Sequence, residues 1–125
     1  MAFDTSGLSH GFFTAVDGTL ERFRFVQNTG TTVALATAAG AVCGVCELDN
    51  PNSGQAVNVK YVGVAMVEAS AAISANAEVE VATGGKAVTR TSGVIVGKAL
   101  AAASGVGSII PVLLETSYSK ADALV

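Results

Sequence analysis

An all-β fold, a small barrel or sandwich, is predicted for this 125-residue chain. Three observations predict it. Apolar and polar residues alternate with period 2 in runs such as "ERFRFVQ" and "EVEVA". Glycine-bearing turns separate these runs at close spacing. Nothing in the pattern alternates strands with helices as βαβ units would.

The elements follow in order. Residues 1–19 have no steady periodicity and mix Gly7, Gly11 and Gly18 with small polar residues. Such composition is usually mobile, yet Phe3, Leu8, Phe12 and Phe13 are interspersed. The segment reads either as a loose leader or as an arm that orders when its aromatics reach a partner. From Leu20 the pattern is β. "ERFRFVQ" sets Phe23 and Phe25 on one strand face and Arg22 and Arg24 on the other. "NTG" (28–30) turns the chain and "TTVAL" (31–35) returns it. "VCGVCE" (42–47) is a short strand, and "LDNPNSG" (48–54) is rich in turn formers.

"QAVNVKYVGVAMVEA" (55–69) is a long strand, and Gly63 within it marks a bend or bulge. Residues 68–78 read as a loop with at most one helical turn. "EVEVA" (78–82) points Val79 and Val81 inward and leaves Glu78 and Glu80 to solvent. "TGGK" (83–86) is a hairpin turn. "VIVGKAL" and "SIIPVLLE" form the last pair. The division is an N-terminal arm (1–19), a β core (20–116) and a polar C-terminal tail (117–125).

Only 14% of the residues are charged, against about 25% in an ordinary soluble domain. A charge-poor surface favours association with another protein. The net charge of −3 and the lack of a basic stripe argue against nucleic-acid binding. No stretch has the apolar length of a membrane helix, and the N-terminus lacks a secretory pattern. The expectation is a protein made in the cytoplasm without membrane partners.

A repeat is visible when Gly44 is set on Gly97. Gly54 then falls on Gly107, Cys43 on Val96, Cys46 on Ala99, Val57 on Ile110, Val59 on Val112 and Asn58 on Pro111. Each unit is a strand, a glycine-ended loop and a second strand. The match assigns Cys43 and Cys46 to packing positions, against the zinc or redox reading that a C-x-x-C pair invites. Proline costs a ladder hydrogen bond, so Pro111 is expected on an edge strand or at a bulge.

Motifs that resemble chemistry fall short. "GVIVGKAL" (93–100) lacks the spacing and the Ser or Thr of a phosphate-binding loop. "GLSHG" (7–11) fits a nucleophile elbow, but no strand precedes it and no histidine follows His10. Lys86 at a hairpin tip lacks the neighbours of a lipoyl or biotinyl lysine. No catalytic constellation, metal ligand set or cofactor motif is present in the sequence.

The stretches "VKYVGVAMVEASAAISANAEVEVATGGKAVT" and "GVIVGKALAAASGVGSIIPVLL" carry a resemblance. Between about Gly44 and Leu114 the chain resembles the capsid decoration (cement, or head-stabilisation) proteins of tailed bacteriophages. The resemblance implies a β-sandwich or β-tulip-like barrel with an extended N-terminal arm, no catalytic residues and no cofactor. It implies a structural virion protein on the outer capsid surface that bridges major capsid protein subunits, commonly as a homotrimer. Phe3, His10, Phe12 and Phe13 are then the candidate contacts with the capsid or a neighbouring copy. The competing expectation is a virion-surface β-module that binds host glycans or proteins.

Overall fold

A computed structural model describes residues 7–15, 20–30, 32–38, 40, 42–47 and 52–114. Nine strands account for just over half of these residues, and the fold is all-β as expected. The strands are β1 (Gly7–Ala15), β2 (Phe25–Thr29), β3 (Thr32–Leu35), β4 (Gly44–Cys46), β5 (Ala56–Glu68), β6 (Glu78–Ala82), β7 (Lys86–Thr89), β8 (Gly97–Ala99) and β9 (Ile109–Leu114).

The thirteen-residue β5 organises them. Its first half pairs with β1 and β4, and β2 and β3 complete a closed ring of five strands. Its second half pairs with β9, followed by β8, β6 and β7. A parallel bridge between Ala69 and Ala87 closes this second ring. The change of partner falls at Gly63, which pairs with Gly7 at φ +104°. That backbone state is open to glycine and disfavoured for other residues, so the expected irregularity is where one strand passes from the first barrel to the second.

The two barrels are equivalent position by position, which extends the repeat seen in the sequence. Val45↔Lys60 and Cys46↔Val59 in the first become Lys98↔Leu113 and Ala99↔Val112 in the second. Phe25↔Val45 becomes Glu78↔Lys98. The parallel seam Ala15↔Val33 becomes Ala69↔Ala87. Gly54 and Gly107 both have φ above +80°. A side chain on Gly44 would strike Val59 and the Lys60 carbonyl, and one on Gly97 would strike Val112 and the Leu113 carbonyl. Both glycines are therefore required by close strand approach.

The interiors match as well. Ala15, Leu20, Val26, Val33, Cys46, Val57 and Val59 form the first core. Their counterparts Ala69, Ile73, Val79, Ala87, Ala99, Ile110 and Val112 all lie in the second. The second core also takes Phe25, Ala36, Val42 and Val45 from the first barrel, so the barrels share a buried junction. Buried Arg24 ties it, donating to the Gly84 carbonyl at 3.1 Å, to Glu21 at 3.1 Å and to Glu68 at 3.3 Å. Glu68 also pairs with Lys86 at 3.5 Å.

Four expectations are corrected. Gly7–Ala15, expected to be part of an arm, is a barrel strand; register shifts between Leu8 and Ser9 and between His10 and Phe13 erase its alternation. "ERFRFVQ" is not one strand: residues 22 and 23 form a turn, β2 begins at Phe25, and Arg24 is buried rather than solvated. Glu80 is buried too, because its carboxylate accepts the backbone N–H groups of Thr91 (2.8 Å), Gly93 (2.9 Å) and Ser92 (3.2 Å). Pro111 sits in β9, between β5 and β8, not at an edge. Its carbonyl accepts from Leu100, so its nitrogen points to the same side, just past the end of β8 at Ala99. No strand N–H is missed there.

Other expectations hold. Val79 and Val81 point inward, and the "TGGK" hairpin joins β6 to β7 with Gly84 and Gly85 at positive φ. Residues 70–77 are irregular, with one bridge between Ile73 and Ala103.

Candidate functional site

Because the interiors are equivalent, the outward faces are where the barrels differ. The outer positions of β5, β9 and β8 in the second barrel hold Val64, Met66 and Glu68, then Ile109, Pro111 and Leu113, and Lys98, with Leu100 next in line. Ile109, Leu113, Leu100 and the nearby Val62 are all exposed, Leu113 at 45%. At the matching positions of the first barrel, Ile109 is replaced by Ala56, Leu113 by Lys60 and Leu100 by Glu47. Exposed apolar side chains gathered on one face mark an interaction surface more often than a neutral one.

Lys60 does not point freely to water. It is 6% exposed, its Nζ lies 3.7 Å from the Glu47 carboxylate, and it donates to the Val64 carbonyl at 3.4 Å. Next to it, at the junction of the barrels, a depression of about 170 Å³ is lined by Arg22, Phe23, Val45, Cys46, Glu47, Lys60, Ala65 and Met66. Its walls are mostly apolar, and it holds two cations against one carboxylate.

Phe23 stands at this depression in an unusual conformation. Its φ is +68°, the left-handed region that bulky side chains avoid. Its counterpart in the second barrel is Asn76, at φ +70°. Both N–H groups make the same bond, Phe23 to the Cys46 carbonyl at 3.1 Å and Asn76 to the Ala99 carbonyl at 2.7 Å. Asparagine tolerates this conformation and phenylalanine does not, so Phe23 carries strain of order 1–3 kcal/mol. The Arg22 guanidinium lies 4.7 Å from the centre of the Phe23 ring, within cation–π range.

The residues singled out from the sequence lie elsewhere. Phe3 is outside the described residues. His10 is opposite Val59 and Phe13 opposite Val57, while Phe12 falls in the irregular stretch between them. These three share β1, against the first half of β5. Sequence reasoning missed the junction depression. The signal that could have found it was the repeat carried upstream, which sets Phe23 on Asn76.

The cysteines fit the packing reading. Cys46 is fully buried in the first core at the place of Ala99. Burial pushes the Cys43 thiol up to about 11, which leaves little thiolate at neutral pH. The Glu80 carboxyl is held below its ordinary value, first by the Thr91 N–H and then by that of Gly93. Gln27 is its counterpart, accepting the Thr37 N–H at 3.3 Å. Among the described residues, no three His, Cys, Asp or Glu side chains gather as metal ligands would.

A double barrel wound on one strand, with matched interiors and exposed apolar side chains on one outer face, defines an all-β module with no metal cluster among the described residues. The chain matches the phage cement protein family over residues 16–114 and belongs to that family. It is a structural protein of the phage head, associated with the virion capsid. The match spans most of both barrels and bears out the resemblance read from the sequence. The chain is also similar to a crystal structure of the head fiber gp8.5 N base in bacteriophage phi29. The TM-score is 0.68 at 17% identity, over 86% of this chain and 93% of that one. At that identity the likeness shows a shared fold. No curated protein matches the chain in sequence.

Proposed function

We propose that this protein binds the outer surface of the assembled phage capsid and stabilises it by bridging neighbouring major capsid protein subunits, acting as a homotrimer. The observation that carries this reading is the cement-family match across both barrels. The exposed group of Ile109, Leu113, Leu100 and Val62 supports it, since a charge-poor chain with such a group is suited to a protein partner. The similar fold of a phage head fiber base agrees with a role on the head. Binding only the expanded, assembled lattice favours that state by mass action. Several contacts per trimer add through avidity.

In this reading Phe3, His10, Phe12 and Phe13 add anchors at the N-terminal end, aromatic groups being prominent in interface energetics. Deleting residues 1–13 would remove most of a barrel strand, so the anchors are tested by deleting residues 1–6 and by Phe12→Ala and Phe13→Ala separately. The reading as a whole is tested by co-sedimentation with expanded empty capsids that lack this protein. Saturable, stoichiometric binding and a higher capsid disruption temperature are expected. Absence of saturable binding contradicts it.

A further inference from the structure

We propose that the depression at the barrel junction is a socket for one apolar side chain flanked by a carboxylate, presented by a segment of the capsid protein. This deepens the capsid-binding reading and rests on it. The volume of about 170 Å³ is close to the roughly 150 Å³ of a cavity known to accept benzene, so a branched aliphatic or aromatic side chain fits. Phe23, Ala65 and Met66 supply the apolar surface, and Met66 is adaptable in shape. Arg22 and Lys60 outnumber Glu47 around it in a chain whose net charge is −3. This local excess of positive charge is complementary to an acidic neighbour on the partner.

The second barrel acts as an internal control for Phe23. The fold needs a left-handed residue bonded to the end of the adjoining strand, and Asn76 meets that need. An aromatic ring at the same position is unfavourable for folding alone. An observed backbone outlier is a sound starting point for a functional assignment, and here the outlier places its ring in the wall of the depression. Met66 also belongs to the outer face that carries Ile109 and Leu113, so the socket opens beside the exposed apolar group.

The test compares the full chain with Phe23→Asn and Arg22→Glu in co-sedimentation titrations on expanded empty capsids. Phe23→Asn, which copies the second barrel, keeps or raises the melting temperature and weakens capsid binding by about tenfold or more. Arg22 is exposed, so Arg22→Glu folds normally; it weakens binding most at low salt, and the deficit shrinks as salt is added. If both variants fold and bind like the wild type, the socket is overturned and the capsid-binding reading stands. If the wild type itself does not bind, both are overturned.

Discussion

Leu20 and Ile73, Val26 and Val79, and Cys46 and Ala99 occupy matching places in two barrels that share β5. Leu113 and Lys60, Leu100 and Glu47, and Phe23 and Asn76 occupy matching places outside the two cores. The first set keeps an apolar residue or exchanges it for another, and the second exchanges apolar for polar. Interiors answer to packing, which accepts any apolar group of suitable volume. Outward faces answer to what they touch. The comparison teaches that backbone register fixes the barrels, whereas the departures from equivalence single out the surface proposed to meet the capsid.

The comparison can be broken or sharpened by substitution. The largest effects belong to the cores. Leu20→Ala and Ile73→Ala each cost about 3–4 kcal/mol, and because β5 threads both barrels each lowers a single cooperative denaturant transition. Two separate transitions would show that the barrels are independent. Next come the strand-contact glycines. Gly44→Ala and Gly97→Ala each press a methyl on a neighbouring carbonyl and cost about 2–3 kcal/mol. A neutral result for one of them, read by thermal melting, would end the equivalence at that position.

Phe23→Asn raises stability by about 1 kcal/mol through relief of the left-handed backbone. Last is Glu80, the charged counterpart of Gln27. Its folded value is depressed, so it contributes stability above its unfolded value, about 4.3. That contribution is lost as pH falls through the folded value. Glu80→Gln therefore gives a flatter stability profile below about pH 4.3, measured by melting as a function of pH. An unchanged acid limb would remove Glu80 from the account.

The repeat was legible because its markers are glycines. Gly44, Gly97, Gly54 and Gly107 answer to backbone demands that few other residues meet. The long strand β5 was legible from its alternation, and the bend at Gly63 from the glycine itself. Strand β1 was not, because two register shifts break its period. Phe23 misled for a related reason: period-2 spacing in "ERFRFVQ" resembles a strand, and nothing local announces a left-handed turn at a phenylalanine. The buried state of Glu80 depends on three N–H groups from a loop eleven to thirteen residues away, which alternation cannot report. Pro111 misled because β8 ends one residue before the proline nitrogen would face it. The junction depression joins residues from β4, β5 and the turn before β2, so no single stretch of sequence describes it.

The central claim is that the second barrel's outer face and the junction beside it meet the capsid, while the far side of the first barrel does not. Hydroxyl-radical footprinting of the protein, free and bound to expanded capsids, tests it directly, because Phe, Met and Leu side chains are all labelled. Binding is expected to protect Phe23, Met66 and Leu113. Equal labelling of Phe23, Met66 and Leu113 in the free and bound states would contradict the claim.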